Sequence, residues 1–253
     1  MQTIKGLLFD IGGVLYVGDT MISGANDTIA ILQKKYPMRF LTNTTRRTPI
    51  VMMEKLNRMG FSVKIDELFT ALDATKSYVH SQNGTVHTLL TDEADVWFSE
   101  LKSDVPDFVV VGDAHLNFSY ERMNEAFRYL LNGAKLIAAA KNKYFKEEDG
   151  LLAMDAGGFI TALEFASGVE AKIIGKPSKA FFHLAVASMG LKPEEVLMIG
   201  DDIISDIQGA KDAGLHTALV KTGKFQDADL HLGIDAEYIL DDVTHLLDML
   251  DEF

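Results

Sequence analysis

The chain has 253 residues, 47% of them apolar and 24% charged, with 20 glycines, 5 prolines and no cysteine. That is a globular composition, long enough for one large domain or two modest ones, and it excludes disulfide scaffolds, thiolate metal sites, thiol nucleophiles, collagen-like chains and disordered chains. A net charge of −13 opposes non-specific contact with nucleic acid or an anionic membrane, so neither is expected as a partner.

No apolar run is long enough for a membrane span, and residues 1–10 lack the apolar core of a signal peptide, so the expected location is the cytoplasm. The first apolar run, residues 4–9, is short and closes on Asp10 and Gly12-Gly13, which reads as a buried strand ending in a tight loop. Residues 26–36 place Ile29, Leu32 and Tyr36 on one helical face. Residues 38–41 then form a strand that ends on Thr42-Asn43-Thr44. A second helix is expected with Thr48 as N-cap, Pro49 at its first position, Met52, Leu56 and Met59 on one face, and Gly60 as its stop.

The middle of the chain carries strands of its own at 86–90, 108–111 and 136–140. It also carries a helix over 119–131, with Met123, Phe127 and Leu130 at helical spacing and Gly133 beyond its end. The first pattern then returns. Ser178 is expected to cap a helix running through Met189 that stops at Gly190, and a strand at 196–199 ends in Gly200-Asp201-Asp202. A helix at 207–213 follows with Gly214, and then a strand at 217–220. Alternating strands and helices predict an α/β fold, a doubly wound parallel sheet with helices on both faces. The middle is expected to be an inserted smaller α/β domain at 76–169, leaving 1–75 and 170–253 as the core.

Ligands of an open α/β sheet bind beyond the carboxyl ends of its strands. The residues there are Asp10, Thr42, Asn43, Lys176, Asp201 and Asp202. Singly, each is an ordinary cap, turn or surface charge. Together, hard oxygen donors beside a lysine suit Mg²⁺ and a phosphate group.

The strings LLFDIGGVLY, FLTNTTR, IIGKPSKAFF and VLMIGDDIISDIQGAKDAG resemble, in order and spacing, the four motifs of the haloacid dehalogenase-like hydrolases. The insertion, with KYFKEEDGLLAMDAGGFITALEFASG near its end, is similar to the large α/β cap of the class IIA subgroup. The resemblance implies a Mg²⁺-dependent phosphatase. Asp10 resembles the nucleophile that forms an aspartyl-phosphate, Thr42 and Asn43 the phosphate-binding pair, and Lys176 the lysine that steadies nucleophile and phosphoryl group. Asp10, Asp201, Asp206 and the backbone carbonyl of Gly12 resemble the metal ligands, while Asp202 stays open between ligand and support. Asp113, His115 and Asp155 are candidates for substrate selection, and a homodimer through the cap is implied as well.

One position departs from the family pattern. Most of its phosphatases carry a second aspartate two residues after the nucleophile, as general acid and base, and this chain has Gly12. Such help is worth about 10² to 10⁴ in rate and matters most for a poorly stabilised alkoxide leaving group. A small phosphorylated substrate with an easier leaving group is therefore expected: a phosphoramidate such as a phosphoamino acid, or pyrophosphate. A phosphotransferase, and a binding or scaffold protein with impaired catalysis, are the alternatives that the missing aspartate leaves open.

Overall fold

Runs such as GLLFD and VLMIG are apolar without alternation, which suits strands covered on both faces, and every residue in both is buried. The computed structural model describes residues 4–146 and 151–251. Residues 1–3 of the leading stretch and 147–150 of the quoted insertion string lie outside them. The chain divides into two compact units, one of Met1–Thr42, Met53–Phe69 and Lys176–Phe253, the other of Asn43–Met52 and Thr70–Gly175.

The first unit opens with β1 (Gly6–Asp10), a short hairpin of β2 (Tyr16–Val17) and β3 (Thr20–Met21), then α1 (Ala25–Leu32) and β4 (Met38–Thr42). The helix expected over 26–36 ends at Leu32. Pro37 disfavours helical geometry in the residue before it, so Tyr36 only closes a last turn onto the Leu32 carbonyl at 2.9 Å. Next come α2 (Pro49–Arg58), with Met52 and Leu56 buried as the spacing predicts, and β5 (Leu68–Thr70).

The second unit holds α3 (Ala71–Ser81), β6 (Val86–Leu89), α4 (Asp92–Asp95), β7 (Phe108–Val111), α5 (Tyr120–Leu131) and β8 (Lys135–Ala138). It continues with the hairpin β9 (Tyr144–Lys146) and β10 (Leu152–Met154), then α6 (Ala156–Ser167) and β11 (Lys172–Ile173). Its parallel sheet runs β11-β8-β7-β6. Ser119 caps α5 by accepting from the Arg122 N–H at 3.3 Å. The expected face of that helix packs Leu130, Met123 and Phe127 onto Leu89, Val109, Val111 and Leu136.

Back in the first unit are α7 (Lys179–Ala187), β12 (Val196–Gly200), α8 (Gly209–Asp212), β13 (His216–Val220), β14 (Tyr238–Leu240) and α9 (Leu246–Asp251). Two expectations are corrected here. Ser178 heads α7 without any side-chain cap bond. The helix expected at 207–213 begins earlier, in a π-helical turn over Ile203–Gln208, because the Asp202 carboxylate caps it by accepting from the N–H groups of Ile204 and Ser205.

The sheet of this unit runs β14-β13-β12-β1-β4-β5, with parallel pairing from β4 across to β14. From β1 the chain builds outward on one side to β5, then returns to β12 on the other. The strand order therefore reverses between β1 and β12, the place where a doubly wound sheet opens a crevice at its carboxyl edge. Phe9 and Phe40 stack across β1 and β4 with ring centroids 5.8 Å apart, fixing the two strands that carry Asp10 and Thr42.

Candidate active site

Asp10 is the last residue of β1, and Asp201 comes directly after the last residue of β12, so both stand at the crevice between those strands. Two further contacts bring in the others. The π-helical turn capped by Asp202 carries Asp206, and Asp206 Oδ2 accepts from the Asp202 N–H at 3.2 Å. Lys176 reaches the same point, its ammonium donating to Asp206 Oδ1 at 2.6 Å and to Asp10 Oδ1. Asp201, Asp206 and Lys176 are at most 3% exposed, and Asp10 is 8% exposed.

Among the described residues, the group of acids close enough to share a metal ion is Asp10, Asp201 and Asp206, with ligand oxygens all within 4.8 Å of one another. Buried like charges at that spacing repel, and burial itself disfavours ionisation. Burial, together with the charges of Asp10 and Asp206, pushes the Asp201 carboxyl well above its ordinary range. Burial pushes Asp206 up to about 7, against the pull of Lys176 and with the charges of Asp10 and Asp202 adding to the rise. For Lys176 burial works the other way, but the adjoining Asp10 and Asp206 outweigh it and hold the ammonium charged. This donor set fits a hard divalent cation: oxygen ligands that are buried, pre-assembled and in need of positive charge.

The loop after β13 closes over the same acids. Lys224 donates its backbone N–H to Asp201 Oδ2 at 2.7 Å and its ammonium to Asp202 Oδ2 at 3.2 Å. Thr222 donates its hydroxyl to the Gly13 carbonyl at 2.5 Å, joining this loop to the one after β1. Gly13 and Gly223 both take positive φ, +93° and +61°, and a Cβ on either would run into the Asp201 carboxylate. Phe225 anchors the loop by packing on Ile203, Ile207 and Leu219. Burial raises the Asp202 carboxyl, but the Lys224 charge and the N–H groups it accepts from outweigh that and hold it below the ordinary carboxylate range.

Of the residues singled out in the sequence, Asp10, Lys176, Asp201 and Asp206 meet at one point. Thr42 is buried at the end of β4, one residue beyond the Leu41 that pairs with Asp10. Asn43 falls in the second unit, where its amide donates to Asn142 Oδ1 at 3.4 Å. Gly12 is exposed, two residues past Asp10. Asp202 is a helix cap paired with Lys224. Two candidates for substrate selection have structural partners: Asp155 caps α6, accepting from the Ala156 N–H at 2.7 Å, and Asp113 pairs with Arg46 at 2.5 Å. Sequence reasoning missed Thr222, Gly223 and Lys224. The rule that picks out Asp10, Thr42, Asn43, Lys176, Asp201 and Asp202, a look just past each strand's carboxyl end, points to them after β13.

Residues 7–101 match the family model described as haloacid dehalogenase-like hydrolase, and residues 173–246 match one described as HAD-hydrolase-like. The haloacid dehalogenase-like hydrolase domain-containing protein 2 of Bos taurus is 40% identical over 229 residues, covering 90% of this chain and 88% of its own. The chain belongs to the haloacid dehalogenase-like hydrolases. It is an enzyme of that family, in which a divalent metal is generally used. The phospholysine phosphohistidine inorganic pyrophosphate phosphatase of Xenopus laevis is 38% identical over 256 residues, covering 98% of this chain and 94% of its own. Among solved structures, the p-nitrophenyl phosphatase of Archaeoglobus fulgidus superposes with a TM-score of 0.90 at 26% identity, covering 99% of this chain and 100% of that one. NagD of E. coli K-12 does so with a TM-score of 0.86 at 26% identity, over 96% and 98% of the two chains. Among the described residues no helix is long and apolar enough to cross a membrane.

Proposed function

We propose that this haloacid dehalogenase-like hydrolase is a Mg²⁺-dependent phosphatase that works through an aspartyl-phosphate on Asp10. The observation that carries the reading is the Lys176 ammonium shared between Asp10 and Asp206, with Asp201 beside them. It holds Asp10 in place at the sheet's switch point. Asp10, Asp201, Asp206 and the Gly12 carbonyl would hold the Mg²⁺, which supplies Lewis-acid neutralisation of phosphoryl oxygens.

The chain's own groups do the rest. An Asp10 carboxylate oxygen attacks phosphorus, the bond from phosphorus to the leaving group breaks, and the leaving group departs with the electron pair and takes up a proton. Water then attacks the phosphorus of the aspartyl-phosphate, releasing inorganic phosphate and restoring the carboxylate. Thr42 and Asn43 would bind the phosphoryl oxygens, and Lys176 neutralises charge as it develops. Residues 76–169 would serve as the cap that excludes water and selects substrate. A homodimer through that cap and a cytoplasmic location belong to the same reading.

Gly12 selects the bond. Without a second aspartate to protonate the leaving oxygen, P–N and P–O–P bonds are favoured over sugar phosphates, since a phosphoramidate nitrogen takes its own proton and a phosphate leaving group is stable as an anion. The name of the Xenopus laevis relative, a phosphatase of phospholysine, phosphohistidine and inorganic pyrophosphate, supports that substrate class. The test is phosphate release from pyrophosphate, a phosphoramidate, a sugar phosphate and an aryl phosphate, each with Mg²⁺ or with EDTA. Turnover concentrated on the first two and lost in EDTA is the expected outcome. Silence on all four, or preference for the sugar phosphate, contradicts the reading.

A further inference from the structure

The carboxylates gathered at the edge of β1 and β12 are Asp10, Asp201, Asp202 and Asp206, and the ammonium groups touching them are Lys176 and Lys224. The acids exceed the lysines by two charges, which is the charge of one divalent cation. With the cation in place the cluster is neutral, and a phosphate dianion meets no net repulsion. Remove Lys224 and the loaded cluster carries a net negative charge in a low-dielectric site, where each charge counts for far more than in water.

Lys224 is also fixed as few surface lysines are. The positive φ of Gly223 turns the loop so that the next N–H meets Asp201 Oδ2 at 2.7 Å. Phe225 on the other side packs into the Ile203, Ile207 and Leu219 cluster, and Thr222 ties the loop to the Gly13 carbonyl. Held at both flanks, the side chain pairs with Asp202 Oδ2 at 3.2 Å, while Asp202 Oδ1 is engaged in capping the π-helical turn. Asp202 is thereby occupied on both oxygens by the protein itself.

We propose that Lys224 is a positioning residue that sets the charge of this site: by pairing with Asp202 it keeps that acid a helix cap rather than a fourth metal ligand, and it brings the cation-loaded cluster to neutrality so that a phosphate dianion binds. This rests on the reading of Asp10, Asp201 and Asp206 as the cation site. It assigns metal binding and anion binding to different lysine-dependent terms. The backbone N–H that holds Asp201 survives any side-chain change at 224, so metal affinity and phosphate affinity are expected to move apart.

The experiment is calorimetric titration of the whole metal-free chain with Mg²⁺, then of the Mg²⁺-saturated chain with inorganic phosphate. It is run on the wild type and on Lys224→Met, Lys224→Arg, Asp202→Asn and Asp201→Asn. Lys224→Met should weaken phosphate binding by about tenfold, the scale of one partly buried charge, while Mg²⁺ binds as tightly as before or more tightly. Lys224→Arg should restore phosphate binding. Asp202→Asn keeps a good helix cap and should shift both affinities the opposite way, with phosphate tighter and Mg²⁺ weaker. Unchanged phosphate affinity in Lys224→Met, or loss of Mg²⁺ binding there, overturns the proposal, the latter by showing a merely structural role. Asp201→Asn separates the two layers. If it binds Mg²⁺ like the wild type, the cation-site reading itself falls. If it loses Mg²⁺ while Lys224→Met matches the wild type in both titrations, only the Lys224 proposal falls.

Discussion

A Cβ built on Gly12 would meet nothing within 4 Å, and its backbone has no positive φ that a side chain would strain. The position that most of the family fills with a general acid is therefore open to one. Gly12→Asp is expected to fold normally and to raise turnover of an alkyl phosphate by about 10²-fold, with little change on pyrophosphate, in steady-state assays of both substrates. No gain on the alkyl ester would show that the missing carboxyl is not what restricts the substrate. Lys176 makes the opposite case. It is 3% exposed between Asp10 and Asp206, so Lys176→Met removes the ammonium that those two acids share. Turnover should fall by about 10² to 10³, as when one preorganised electrostatic donor is removed, and the fall should persist at saturating substrate. Lys176→Arg should not rescue it, since a planar fork does not fit a pocket built around one nitrogen.

At the scale of elements, the loops after β1 and β13 form one unit around Asp201. Gly13→Ala and Gly223→Ala each put a Cβ against that carboxylate at a positive φ, so each should cost about 1–3 kcal/mol in denaturant unfolding and weaken Mg²⁺ binding together with stability. A variant that lost stability with Mg²⁺ binding intact would break the link between the loops and Asp201. Most of this geometry was legible in the sequence because apolar runs mark the strands and the sheet-edge rule picks out the residues just past their carboxyl ends. Asp10, Lys176 and Asp201 are found that way, while Asp206, inside the turn that follows β12, comes only from the resemblance of the VLMIGDDIISDIQGAKDAG string to the family motif. Lys224 is missed, since a lysine in KTGKF looks like any solvated loop residue until β13 is placed beside β12. Asp202 reads as a plausible ligand in GDDIISD, and only the π-helical turn, with its two N–H groups aimed at Oδ1, shows it to be a cap. The hairpin of β9 and β10 and the edge strands β5, β11 and β14 escaped because two or three residues are too few to show a period.

For the whole molecule, an acidic chain of net charge −13 binding anions needs a local reversal of its field, and the buried acids make that reversal depend on pH and metal. Asp201 and Asp206 have folded-state values raised above those of an unfolded carboxyl, the latter to about 7. The folded state then binds more protons, so the stability of the metal-free protein should fall as pH rises from about 4 through 7. The melting temperature without Mg²⁺ should drop across that window, and saturating Mg²⁺ should flatten the drop. A metal-free protein that grows more stable toward pH 7.5 would contradict this, the pH here being roughly half a unit beyond the Asp206 value. The most direct test of the central claim is acid quenching of the enzyme during turnover of a phosphoramidate with Mg²⁺, followed by mass spectrometry of the peptide that carries Asp10. The account predicts a hydroxylamine-labile phosphoryl group on Asp10 that is absent with EDTA and in Asp10→Asn, which should also release no phosphate. Phosphate release by Asp10→Asn, or a phosphoryl group on any other residue, would contradict it.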